Sequence, residues 1–174
     1  MVFGGDDKRE VRQYKPNKDA PTSSLGWESW PRKLDVGRQS PACAVMGGNV
    51  IIAGGIKSNS VPIASMEVIN IASRSIGPGV QMSSPRSHFA LLVLNLKQPR
   101  LIALGYSTTN TEWIMDPVYG AWTQGPTMAA NRYEAAAVAV PKGKCFSEPF
   151  PATTCPTVNG GDCIFPFSYG QFSH

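Results

Sequence analysis

Three arginines set the frame of this chain. Leu34-Asp-Val-Gly-Arg38, Met82-Ser-Ser-Pro-Arg86 and Met128-Ala-Ala-Asn-Arg132 each place an apolar residue four positions before an arginine, and the arginines stand 48 and 46 residues apart. Each arginine opens a run of small and apolar residues. A recurrence near that period is the signature of a repeat architecture, in which one supersecondary unit is copied and neighbouring copies bury one another's apolar faces.

Two further markers advance in step with the arginines. The apolar runs Val2-Phe-Gly-Gly5, Ile51-Ile-Ala-Gly-Gly55 and Leu101-Ile-Ala-Leu-Gly105 end in glycine, with Gly4, Gly54 and Gly105 at steps of 50 and 51 residues. Trp30, Ile76 and Trp122 mark a late apolar position at steps of 46. The chain carries 17 glycines and 15 prolines, a content suited to many short strands joined by turns. The expected fold class is therefore all-β. A hydrophobic fraction of 42% is that of a globular chain.

The period divides the chain into units at about 1–37, 38–84 and 85–130, with the start of another at 131–141. In the second unit the strand candidates are Ala42-Cys-Ala-Val45, Val50-Ile-Ile-Ala53, Met66-Glu-Val-Ile-Asn-Ile71 and a short run around Ile76 that Gly77-Pro-Gly79 should break. The first two flank Met46-Gly-Gly-Asn49, a glycine-rich hairpin connection. Both are continuously apolar, so both should be covered on two faces, and Cys43 should be a buried thiol. The third unit repeats the pattern through Phe89–Leu94, Arg100–Leu104, Glu112–Asp116 and Ala121–Gln124; the fourth offers Ala135–Val140. Residues 2 to 5 match the end of a second strand, so the chain is expected to begin inside a unit.

Composition narrows the function classes. The net charge of +4 comes from scattered basic residues, and the one cluster, Lys8, Arg9, Arg12, Lys15 and Lys18, alternates with Asp6, Asp7 and Glu10. No basic stripe interleaved with aromatics appears, so nucleic acid is not an expected partner. No run of about eighteen apolar residues exists for a membrane-spanning helix. His88 is one of two histidines, no His/Cys/Asp/Glu cluster has metal-ligand spacing, and no phosphate-cradling glycine loop precedes a helix. Neither a metal nor a cofactor is expected, nor catalysis.

The period near fifty, the apolar run ending in Gly54-Gly55, the stretch Asp116-Pro-Val-Tyr-Gly-Ala-Trp122 and the apolar-x-x-x-arginine lead into each unit together resemble the kelch repeat over residues 1–141. That resemblance implies a β-propeller with four-stranded blades. Two full blades and parts of two more fall short of the four to eight that close a ring, so the natural protein is expected to continue at both ends. It also implies a non-enzymatic scaffold that meets a protein partner through the loops joining blade to blade and the loops after each second strand. The residues so placed are Ser40, His88 and Glu134, then Lys57, Ser58 and Asn59, then Ser107, Thr108 and Thr109. Arg38, Arg86 and Arg132 admit two readings, an anion-binding ring or structural ties between blades through loop carbonyls, and the structural reading is preferred. An intracellular kelch adaptor is the alternative, and a propeller oxidoreductase with copper held by histidine and tyrosine a more distant one.

Residues 142–174 read differently. Cys145, Cys155 and Cys163 lie in a loop-rich stretch without paired zinc spacing, which suits an extracellular disulfide framework. Cys163-Ile-Phe-Pro-Phe-Ser-Tyr169 resembles the opening of a fibronectin type II module. Phe165, Phe167 and Tyr169 would then form an aromatic surface of the kind such modules use for collagen-like or choline-type ligands. A disulfide-pinned linker is the alternative, and both place the chain outside the cell.

Overall fold

The computed structural model describes residues 1–3, 9–14, 26–95, 97–106, 110–114 and 116–140, and the backbone of Cys163–Phe167. The described residues form no helix, and so none long and apolar enough to cross a membrane. The first unit gives strands β1 (Val2–Phe3), β2 (Val11–Tyr14) and β3 (Trp27–Ser29), paired in that order. The second gives β4 (Ala42–Met46), β5 (Asn49–Ala53), β6 (Met66–Asn70) and β7 (Ser75–Gly79). The third gives β8 (Ala90–Leu94), β9 (Arg100–Leu104), β10 (Asn110–Ile114) and β11 (Thr123–Thr127). β12 (Ala136–Val140) follows and pairs with β13 (Cys163–Phe167). Every pairing is antiparallel and joins strands consecutive in the chain, so units two and three are four-stranded meanders.

Local chemistry sets the turns. Met46 pairs with Asn49, which leaves Gly47 and Gly48 as a two-residue connection with φ of +58° and +77°. Two left-handed residues in succession match the twist of the flanking strands, and only glycine adopts that conformation freely. Beyond β6, the Asn70 side chain accepts the Ser73 amide at 2.8 Å, and Asp116 accepts the amides of Val118 and Tyr119 at 2.8 and 3.0 Å in the matching turn of unit three. These side chains supply the turn hydrogen bonds that the backbone gives up on leaving the ladder.

The sheets stack face to face, because alternate residues of each central strand point to opposite neighbours. Val50 and Ile52 of β5, with Ile69 and Ile76, pack on Val11, Trp30 and Leu34 of unit one. Ile51 and Ala53, with Met66 and Val68, pack on Phe89, Leu91, Leu101, Ala103 and Ile114 of unit three. Ala90, Leu92, Leu94, Ile102 and Leu104 in turn meet Met128, Ala137 and Ala139. A strand segment covered on both faces must be apolar, and β5 from Val50 to Ala53 and β9 from Leu101 to Leu104 are.

Three local expectations need correction. Gly77-Pro-Gly79 does not break the last strand of unit two: β7 runs through it, and Glu67 pairs with Pro78. β7 is the outer edge of its sheet, where a missing N–H costs no ladder hydrogen bond, and Gly125-Pro126 sits inside the outer strand β11 in the same way. Cys43 is exposed, as is Val45 at 62%, because no strand among the described residues covers that face of β4, whereas Ala42, on its other face, packs on unit three. Trp30 is buried as the 46-residue step suggested, yet it is not the equivalent of Ile76: the two belong to one core cluster at the junction of units one and two, one from each unit. Trp122 occupies the place matching Ile76, packed toward the preceding unit with its indole N–H donating to the Val80 carbonyl at 3.1 Å.

Gly54 is where the stack leaves no room. Its φ is +62°, and a β-carbon there would run onto the Arg86 carbonyl and lie 2.7 Å from the Phe89 ring. Gly54→Ala should cost about 3 kcal/mol or more, since backbone strain and an unrelieved clash add. Gly47→Ala, with φ of +58° but nothing within 4 Å, should cost only about 1–2 kcal/mol. Urea unfolding of the two variants measures the gap, and equal losses would contradict the packing described.

Candidate functional site

The loops that enter units two and three are each held by a buried ion pair. In unit two the side chains of Arg38 and Glu67 are 0% and 4% exposed, with Nη2 and Oε1 2.7 Å apart. Arg38 Nη1 also donates to the carbonyls of Gly54 and Ser65 at 2.8 and 2.9 Å. Glu67 in turn accepts the backbone amides of Asp35 at 2.7 Å and Val36 at 3.3 Å. One side-chain pair thus fixes the entry loop, the end of β5 and the start of β6. Burial pushes the Arg38 guanidinium down from its ordinary value, and the hydrogen bond and negative charge of Glu67 act to raise it again.

Unit three builds the same device with a different fork. Arg86 Nε donates to Glu112 Oε1 at 3.1 Å, Nη1 to the Gly105 carbonyl at 2.8 Å and Nη2 to the Asn110 carbonyl at 3.1 Å. Glu112 accepts the Ser83 amide at 3.0 Å, and the Ser83 hydroxyl donates to the same carboxylate oxygen. Only a planar, permanently charged donor set can meet a carboxylate and several carbonyls together, which is why arginine and not lysine stands here.

Arg86 and Arg132 also reach backward. The Arg86 carbonyl accepts the Gly55 amide at 2.8 Å and the Arg132 carbonyl accepts the Tyr106 amide at 2.6 Å, so each joins the preceding unit to the next entry loop. The side chain ties its own unit and the backbone ties its neighbour. Arg38 and Arg86 are accordingly structural, their donors engaged and buried, and they present no anion-binding ring.

Of the residues expected to meet a partner, Ser40 and His88 are brought together: the His88 amide donates to the Ser40 carbonyl at 3.3 Å. Ser40, His88 and Glu134, each two past its arginine, share a left-handed φ of +47°, +49° and +51°. A non-glycine residue there carries strain, and its recurrence in three successive loops shows that the same turn is built each time. Ser40 and Glu134 are exposed, and His88 is half-buried with Nδ1 3.4 Å from the Ser87 hydroxyl. Lys57 and Asn59 are exposed on a tight loop closed by Lys57–Val61 backbone bonds, and Asn59 accepts the Val61 amide at 3.4 Å. Thr108, with Ser107 and Thr109, lies outside the described residues, as does Tyr169. Phe165 and Phe167 fall on β13, paired with Val138 and Ala136.

Two hollows open beside the entry loops. One of about 320 Å³ lies between Asp35–Gly37 and Lys57–Ser58, and one of about 220 Å³ is bounded by Ser83, Ser84, Thr111 and Gln124 above the Arg86–Glu112 pair. Both are lined by hydroxyl, amide and charged groups suited to polar contacts with a peptide. No three His, Cys, Asp or Glu side chains among the described residues gather closely enough to hold a metal ion. No family model matches the chain, and no curated protein matches it.

Glu67 and Glu112 escaped the sequence reading. Their signal was present: each is the one carboxylate of its strand and stands before an apolar pair, Val68-Ile69 or Trp113-Ile114, 29 and 26 residues after its arginine. Removing one partner leaves the other charge buried and uncompensated. Arg86→Met and Glu112→Gln should each lower stability by about 3–5 kcal/mol, while the double variant should lose less than the sum. A denaturation cycle over the four proteins checks this, and strictly additive losses would contradict the pairing.

Proposed function

We propose that this chain is part of an extracellular kelch-type β-propeller acting as a non-enzymatic scaffold that holds a protein partner on the loops beside Arg38, Arg86 and Arg132. The observation that carries this reading is the contrast within those loops. The backbones beside Arg38 and Arg86 are fixed by buried ion pairs, and that beside Arg132 by a cross-unit hydrogen bond, while Ser40, Lys57, Asn59 and Glu134 stand exposed on these loops. A rigid frame presenting variable polar side chains binds without first having to order itself. The period of the repeat, the four-stranded meanders and the face-to-face stacking of successive sheets support the propeller, and the cysteines at 145, 155 and 163 support an oxidising compartment.

Position decides the test. A photo-crosslinking residue at Lys57 or Glu134 of the natural protein should capture a partner protein that the same residue at Lys97, in the turn after β8, does not. Capture at both places alike, or at neither, would contradict the assignment of the loops.

A further inference from the structure

The entry to unit four departs from the pattern of the entry to unit three at two positions, and both changes are to tyrosine. Gly55 and Tyr106 are equivalent, each donating its amide to the carbonyl of the next unit's arginine. Gly55 has φ of +98°, and a β-carbon there would meet the Gln39 carbonyl at 2.7 Å. Tyr106 takes φ of +78° in the same place, a conformation that costs a residue with a β-carbon of order 1–2 kcal/mol. Glycine would relieve that strain, so the ring must supply something that glycine cannot.

Beside it, the residue after the arginine also changes. Ser87, after Arg86, is buried at 1%, whereas Tyr133, after Arg132, is 57% exposed. The Tyr106 and Tyr133 rings meet edge to face at 5.8 Å with an interplanar angle of 72°. Tyr106 is half-buried with its ring against the core between units two and three, which fixes it as a platform for the exposed Tyr133. Glu134 follows, exposed, its backbone held at φ of +51°. Two aromatic rings at a fixed angle and a carboxylate on the adjoining residue place π surface and negative charge on one loop, although the chain as a whole is basic at +4. A ring face attracts an ammonium or guanidinium group through its quadrupole, and a carboxylate reinforces that attraction.

We propose that Tyr106, Tyr133 and Glu134 form a recognition site for a lysine or arginine side chain on a protein segment. This rests on the loops being partner-binding and names the chemistry they select. The two tyrosines provide the ring surface, Glu134 the charge, and the shared hydrogen bond between Tyr106 and Arg132 fixes the loop that carries Tyr133 and Glu134.

The test uses the 174-residue chain and two short peptides, acetyl-Ala-Lys-Ala-amide and acetyl-Ala-Glu-Ala-amide, titrated while the ring-proton resonances of Tyr106 and Tyr133 are followed. The lysine peptide should move both saturably and the glutamate peptide should move neither. Tyr106→Gly should weaken lysine-peptide binding about two- to fivefold, the scale of an exposed cation–π contact, and Glu134→Gln should weaken it similarly. Tyr133→Ala, which removes the exposed ring, should weaken it likewise and leave the melting temperature of the chain nearly unchanged. Equal response to both peptides, or unchanged binding in either tyrosine variant, would overturn the site. These outcomes are independent of photo-crosslinking at Lys57: capture there with no lysine-peptide response would remove this site and leave the scaffold reading standing.

Discussion

The buried arginine–glutamate pair is the interaction on which the arrangement of units depends. Apolar stacking alone would let neighbouring sheets slide, since hydrophobic burial is non-directional. Arg38 with Glu67, and Arg86 with Glu112, convert that contact into a register by joining the entry loop, the end of the second strand and the start of the third through directed bonds. Removing such charges from water is costly, and the cost is offset only because nearly every donor and acceptor finds a partner. Glu67 satisfies two loop amides as well as its arginine, and Glu112 an amide and a hydroxyl.

From that anchor follow the features that position the loops. The arginine carbonyl is left free to receive an amide from the preceding unit, and the chain must then turn sharply at the second residue beyond. Ser40, His88 and Glu134 occupy that turn with left-handed backbones, so their placement is set by the anchor and not by their own side chains. Side-chain identity at these positions is thereby released from structural duty, and three successive loops carry a hydroxyl, an imidazole and a carboxylate on one frame. The same freedom admits the paired tyrosines at the fourth unit.

Much of this was legible in the sequence, because the repeat copies its physical constraints along with its residues. The three arginines, the Gly54-Gly55 run and the doubly covered β5 and β9 could be found from period and apolarity, and strand positions follow within a few residues. What was not legible has identifiable causes. Glu67 and Glu112 were hidden because a carboxylate in an apolar strand signals nothing until its partner, more than twenty-five residues earlier, is known. Pro78 suggested a strand break because edge and central positions cannot be distinguished without the sheet order. Cys43 suggested burial because apolar neighbours in sequence do not reveal whether a strand lies opposite. Trp30 and Ile76 matched in spacing but belong to one core cluster, since the first unit's loop length shifts the phase of its last strand.

The central claim is that the ion pair, not apolar packing alone, holds the entry loops of units two and three in register with the preceding unit. Amide hydrogen exchange in Glu112→Gln measures this directly. The amides of Ser83, which Glu112 accepts, and of Gly55, which the Arg86 carbonyl accepts, should lose protection, while the Gln39 and Ile56 amides across the Arg38 loop keep theirs. Uniform loss at all four amides, or no loss at Gly55, would mean that stacking of the sheets sets the register and the arginines merely fill it.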